Sequence, residues 1–557
     1  MDSSQPESLS PALEAYKEVS VLRDQHAEVI WGDEPADPDE LRAILVALDA
    51  GLAKLATPIN TDLAEGNIYL RFRRVNFLID KALVLERLQD PAAAIRAWLE
   101  MEHITWFDLA QNPRVGGQFQ RLLARPEAAP IRAQLAAAAR WSTGSTLAGP
   151  YRKELPVEER IAGLSRIWAA ARDGFVWFDH VPELDWDRAY LDAIPRVLVT
   201  QDTEAYYREL MSFVARLRDG HSNVYPPEEI AIRFYSRPGV RTAKVEGRVI
   251  VMQVMDRDLL QQGLDVGDEV FRIDGIDVER YAQERVAPYA SSSTDQDREV
   301  RIYSYSLLSG PAERPVQLEI RDAEGRQTTV TAQRSGHDTT GARPEPFTML
   351  EDGIAVVVAS QFDNRAAADF LGQHITEVMQ SKGLVLDLRG NGGGSSNNGF
   401  ALLSWLSEAP LPSMMSSYRD NNALDRARQG RQATITWRNL ERADFKIPRS
   451  QVFKGPVAML IDARTFSAAE DTAAVFKLMH RGVIVGSASG GSTGQPWVFE
   501  LPGGGRARIC VKRDCYPDGT TFVGTGVTPD VEVALTIDDV RNGRDALLEC
   551  AIRELAG

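Results

Sequence analysis

A multidomain α+β protein is the fold class that the sequence predicts, on three changes of pattern. Residues 1–148 space their apolar positions three and four apart, as helices do. Between 236 and 335 the chain turns to short β-rich runs. From 345 to 557 strand-like apolar runs alternate with helical segments, as a parallel sheet requires.

The helical domain, 1–148, rests on Leu41 to Leu55 and Asn76 to Leu88, both amphipathic at helical spacing. Asp90-Pro91 opens another helix, with proline at the first position, where its missing N–H costs little. Pro126 to Pro130 and Gly149-Pro150 mark the exit. The region carries no chemical motif. His26 and His103 read as surface or packing residues, and the domain reads as a docking or scaffolding bundle. This leaves open a protein partner bound through it, and a homo-oligomer.

The bulk numbers exclude several function classes. The chain has 557 residues and a net charge of −16, against the basic footprint that nucleic acid binding needs. No apolar stretch reaches the roughly 18 residues of a membrane span. The polar, acidic start has no apolar signal core, so a cytoplasmic location is expected. Cys510, Cys515 and Cys550 are too few for a disulfide framework. Cys510 and Cys515 lack the other half of a zinc site and read as two positions on a hairpin spanning Arg508 to Tyr516. No metal and no cofactor is expected.

Residues 150–235 are helical again. Tyr206 to Leu217 is amphipathic and ends at Asp219-Gly220-His221-Ser222, with Gly220 suited to stop the helix in the left-handed conformation. In 236–335 strands are expected at Arg248 to Met252, Glu269 to Ile273 and Val316 to Ile320, with tight turns at Gly267-Asp268 and Asp274-Gly275. In 345–557 the strands are Ile354 to Ala359, Gly383 to Leu388, Val457 to Ile461 and Gly482 to Val485. Gly390, Gly392, Gly393 and Gly394 let the backbone approach a ligand closely; no P-loop lysine follows them, which disfavours a phosphate cradle. The irregular stretch 408–449 reads either as a cover over the site or as a solvated loop.

Ser467 stands where the buried run Val457 to Ile461 gives way to a helix from Ala468. It reads either as a plain N-cap or as a hydroxyl presented at the open end of a sheet, beside unpaired helix N–H groups.

Six segments in order then give a resemblance: Asp219 to Ser222 (DGHS), the β-rich insert, Asp387 to Gly394 (DLRGNGGG), Thr465 to Asp471 (TFSAAED), Gly490 to Pro496 (GGSTGQP) and Gly524 to Asp530 (GTGVTPD). Together they resemble the tricorn-core and C-terminal-processing serine peptidases over about 160–535. Within the insert, Gly263 to Ile276 resembles the PDZ signature, which implies capture of an extended peptide at a sheet edge. The resemblance implies a ClpP/crotonase-like catalytic core at 345–557. One branch of the family activates its serine with a lysine about 25 residues downstream, in a turn. That turn, here Gly490 to Pro496, has no lysine, and His221 stands at the position of the histidine-using, tricorn-like branch.

The roles implied are Ser467 as nucleophile and His221 as general base. Ala468, Gly392 and Gly393 would donate N–H groups to the oxyanion. Glu470, one turn beyond Ser467, either orients the site or is a solvated helix charge. The branch commonly has an acidic residue where this chain has Val523, and Asp219 is the nearest other carboxylate in sequence to His221. The expected activity is cleavage of peptides or unfolded protein C-terminal tails. The alternative is a non-catalytic member of the fold that binds a peptide or an apolar ligand.

Overall fold

The computed structural model describes residues 11–32, 35–61, 67–101, 116–142, 148–334, 345–420, 427, 436–440 and 445–556. His103 lies outside them, as do parts of the 408–449 stretch. The chain divides into two compact units, Met1–Thr146 and Leu147–Gly557.

The first unit is helical, from Pro11–Trp31 through Pro38–Thr61, Asn67–Arg87 and Pro91–Leu99 to Gly116–Leu123 and Ala129–Ser142. The Asp90 carboxylate accepts the Ala93 N–H and Pro91 is the first helical residue, so this helix starts on side-chain chemistry written in the sequence. A buried Asp80 is held by Arg23. Pro126 to Pro130 do not end the unit. They form one 3-10 turn and start the helix Ala129–Ser142, because proline suits a first turn.

The second unit is built on a six-stranded sheet. Its order is Val531–Glu532, Val483–Gly486, Val457–Ile461, Gly383–Asp387, Ile354–Val358 and Phe347–Met349. All neighbours are parallel except the last pair. Gly383–Asp387 and Val457–Ile461 are buried at every position, as central strands covered on both faces must be. Alternate residues face opposite cores: Val385, Ala458 and Leu460 pack against the helix Ala546–Ala556, whereas Leu384, Leu386, Met459 and Ile461 join the main core. That main core includes the helices Val157–Gly174, Trp186–Leu198 and Thr203–Ala215, so residues 155–234 are packed into the sheet domain.

The insert has a core of its own. Its antiparallel order is Val240–Val245, Arg248–Val254, Glu269–Ile273, Val316–Arg321 and Gln327–Ala332. Asp274 and Gly275 turn with φ of 51° and 74°, the left-handed pair that a two-residue hairpin demands. Val300–Ser306 is a π-helix, a rare form that tends to appear at functional sites.

The hairpin expected from Arg508 to Tyr516 is replaced by two strands in different sheets. Arg506–Cys510 pairs with Pro496–Glu500, whereas Arg513–Cys515 pairs with Met415–Asp420. Among the described residues all three cysteines are free, no His/Cys/Asp/Glu group could hold a metal ion, and no helix is long and apolar enough to cross a membrane.

Candidate active site

The buried strand Val457–Ile461 ends in a turn fixed by its own side chains. The Asp462 N–H donates to Thr465 Oγ1, the Thr465 hydroxyl donates to Leu388 O at 2.9 Å, and the Phe466 N–H donates to Asn391 O at 2.9 Å. The chain then enters the helix Ala468–Leu478 through Ser467, at φ 57° and ψ −123°. This backbone region is costly for any residue with a Cβ. Ser467 is the N-cap residue, in a capping box with Glu470, and its hydroxyl also lies 2.9 Å from His221 Nε2. The two readings of Ser467 therefore coincide: it caps the helix and meets the histidine.

His221 arrives from the helix Thr203–Ala215, 246 residues earlier in the chain. The left-handed residue in this turn is Arg218, at φ 48°, and not Gly220. Gly220 serves close packing instead, since a Cβ there would come within 2.8 Å of the Phe466 ring and 3.0 Å of Arg301 Nη2. The imidazole is buried and stacks on Phe466, with centroids 4.9 Å apart and planes 11° apart. Its Nδ1 lies 2.8 Å from Ser492 Oγ. With Nδ1 protonated and donating to Ser492, Nε2 is left as the acceptor facing Ser467. Burial, then the positive charges of Arg508, Arg301 and Lys512, holds the His221 pKa well below its ordinary value. Both effects favour the neutral ring.

Glu470 is fully buried, which overturns the solvated-charge alternative. Its carboxylate accepts the N–H groups of Ser467 (3.1 Å), Gly491 (2.6 Å) and Ser492 (2.9 Å), and the Ser489 hydroxyl (2.6 Å). Burial pushes its pKa up to about 8 against the pull of these donors. It touches neither His221 nor the Ser467 hydroxyl; it ties the turn 489–492 to the start of the helix. The Ser492 hydroxyl is the link that sequence reasoning missed. It sits 25 residues after Ser467, in the very turn inspected for a lysine, and no sequence signal marks a serine there as a histidine partner.

The three expected oxyanion donors separate. Ala468 is the first residue of its helix, so its N–H has no acceptor within the helix. Gly392 is exposed, with open space around its Cα. Gly393 donates its N–H to Asn391 Oδ1 at 2.9 Å and so corrects the expectation. Its role is steric: at φ 101°, a Cβ on it would lie 2.7 Å from Ser467 Cβ. Asn391 is itself buried and fixed by donating to Ala359 O.

Asp219 accepts from the Ser222 and Ser293 hydroxyls and not from the His221 ring. Val523 is buried in the main core. Ser467 opens into a cleft of about 460 Å³, walled by Phe400, Leu411, Met414, Phe445, Asp471 and Lys512. The described part of the 408–449 stretch thus forms one wall. Lys512 Nζ pairs with Asp514 at 2.9 Å, whereas the His221 ring lies within hydrogen-bond reach of Ser467. A hydroxyl within hydrogen-bond reach of an imidazole, at the N-terminus of a helix, is an arrangement able to perform acyl transfer.

No curated protein matches the sequence. Solved structures share the fold, two of mature CPAF among them. Mature CPAF complexed with lactacystin is 15% identical, with a TM-score of 0.57, over 72% of this chain and 98% of that one. Mature CPAF alone is 16% identical, with a TM-score of 0.53, over 69% and 94%. The family described as peptidase family S41 matches residues 353–533, the segment that carries Asn391, Ser467, Glu470 and Ser492. Residues 353–533 are a peptidase family S41 domain.

Proposed function

We propose that the protein is a serine peptidase of the histidine-using, tricorn-like kind, cutting peptides or unfolded protein C-terminal tails. The observation that carries this reading is the convergence of Ser467, His221 and Ser492 on one hydrogen-bonded line, 2.9 and 2.8 Å per link. His221 Nε2 takes the Ser467 proton as Oγ attacks the carbonyl carbon of the scissile bond. The resulting imidazolium keeps its Nδ1–H on Ser492 Oγ. The oxyanion is met by the N–H groups of Ala468 and Gly392. His221 then returns the proton to the leaving amine, and water repeats the sequence on the acyl-enzyme. Glu470 acts as a positioning residue, holding Ser467 and Ser492 at their spacing.

The insert is read as a PDZ-like peptide-binding domain. Its outer strands, Val240–Val245 and Gln327–Ala332, end the sheet; Gln262 covers the second at Thr331, so Val240–Val245 is the edge for strand addition. The cleft beside the cut is mixed, with Phe400 and Met414 facing Asn397, Asp471 and Lys512, which suits a substrate residue with both apolar and polar atoms.

The test is labelling of the intact protein with a fluorophosphonate, followed by mapping of the modified residue. Labelling at Ser467, lost in Ser467→Ala, is expected. Lactacystin, which CPAF is seen to bind, should compete with the label. A folded protein whose Ser467 takes no label, and which still binds peptide, would favour the non-catalytic alternative.

A further inference from the structure

A second cavity, of about 250 Å³, lies between the β-rich insert and the segment that carries His221. Four arginines line it, Arg208, Arg285, Arg301 and Arg508, and no aspartate or glutamate does. In a chain of net charge −16, that is a local inversion of sign. Two of the guanidiniums are neutralised from outside the cavity: Arg208 by Glu204 at 3.1 Å, and Arg301 by Asp297 at 2.8 Å. Arg508 is half-buried and donates only to neutral oxygens, at 2.6 and 2.8 Å to Asn223 Oδ1 and at 3.4 Å to Gly220 O. Arg285 stands exposed at the mouth. The nearest acidic group acting on Arg508 is the buried Asp219, which makes no ion pair with it and also faces Arg301, so two guanidiniums share one carboxyl and an incoming anion offsets the excess positive charge. The remaining walls include flat rings, with Tyr225 stacked under Arg508 at 5.5 Å and Tyr289 under Arg208 at 6.0 Å.

We propose that this cavity is a binding site for a carboxylate borne on an aromatic or similarly flat apolar group, with Arg508 and Arg285 as its charge partners. Planar guanidiniums match carboxylates in a bidentate fashion, and the rings supply the apolar contact. Such a ligand is either a free aromatic acid or the end of a peptide whose last residue is aromatic. The site is distinct from the Ser467 cleft, and its argument does not use the peptidase reading. It is nevertheless wired to His221. Arg301 and Arg508 both donate to the carbonyl of Gly220, at 3.3 and 3.4 Å, and Arg301 lies 5.2 Å over the Phe466 ring that stacks on His221. A carboxylate that draws either guanidinium therefore alters the support of the histidine turn.

The experiment is calorimetric titration of the full chain carrying Ser467→Ala with benzoate, and with benzamide as its neutral counterpart. Benzoate should bind saturably and benzamide at least about tenfold more weakly, the usual effect of losing one charged hydrogen-bond pair. Arg285→Gln, at an exposed position, should weaken benzoate about tenfold with an unchanged melting temperature, and Arg508→Gln should weaken it further. Equal affinities for benzoate and benzamide would overturn the proposal, as would benzoate binding that Arg285→Gln and Arg508→Gln both leave unchanged, or no saturation below roughly 10 mM. Competition by a phenylalanine-ending peptide with a free carboxylate, but not by its amide, assigns the ligand to a peptide end. Benzoate binding that neither peptide displaces assigns it to a free acid. Because Ser467→Ala binds without turnover, failure here is separable from failure of the peptidase reading.

Discussion

Two buried carboxylates stand close in sequence to the two ends of the site, and they do different work. Glu470 lies three residues after Ser467, and Asp219 two before His221; burial raises the pKa of both. Glu470 gathers three backbone N–H groups and one hydroxyl from the nucleophile turn and from residues 489–492. Asp219 gathers only hydroxyls, Ser222 at 2.6 Å and Ser293 at 3.4 Å, the latter from the β-rich insert. One carboxylate joins the two halves of the reactive centre. The other joins the histidine turn to a neighbouring domain. Proximity along the chain did not decide which; the donors available in the fold did.

The proposed mechanism makes the comparison breakable. The largest effect belongs to the reacting pair: Ser467→Ala and His221→Ala should each lower kcat/KM by about a thousandfold or more, and the double variant should be no slower. Additive losses would mean that the two residues do not act together. Next comes the contrast itself. Glu470→Gln turns an amide NH2 toward N–H donors and should cost about a hundredfold in kcat/KM and about 2–3 kcal/mol of stability. Asp219→Asn keeps an acceptor for Ser222 and should cost less than about tenfold. Similar losses in both would erase the distinction drawn above.

Ser492→Ala should cost about tenfold, because one hydrogen bond to the developing imidazolium is lost, and Ser492→Thr should restore most of it. The smallest and sharpest test is pH. His221 acts as base only when neutral, so kcat/KM should rise with pH and level off, with a midpoint below 6.5. Ser492→Ala should move that midpoint lower still, since the charged ring loses an acceptor. The same depression ties His221 to stability. Above about 6.5 both folded and unfolded states hold it neutral, and stability falls as pH drops toward the lower folded-state value. Val523→Glu would place a carboxylate in the main core and should lower the melting temperature.

Where neighbours in sequence set the geometry, the sequence was readable. Asp90-Pro91 starts a helix because the cap and the first residue act locally, and Asp274-Gly275 turns because those two residues alone can. The strand runs Gly383–Asp387 and Val457–Ile461 declare themselves by continuous apolarity. Legibility fails where a distant partner decides. Gly220 looks like a helix stop, yet Arg218 takes the left-handed position, because the missing Cβ of Gly220 is needed against Phe466, 246 residues away. The stretch from Arg508 to Tyr516 looks like a hairpin, yet its strands answer to different sheets. Ser492 was invisible for the same reason, since a serine in a glycine-rich turn has no local property that points at a histidine.

The backbone of Ser467, at φ 57° and ψ −123°, has a consequence for inheritance as well as for chemistry. Glycine is the residue that the fold itself would choose there, and Ser467→Gly should raise stability by about 1–3 kcal/mol through relief of that conformation. Every lineage of this chain therefore carries a standing thermodynamic incentive to discard its hydroxyl. A copy freed from the need to cut would drift toward the more heat-resistant form, so that in a set of such copies the melting curve becomes a record of disuse.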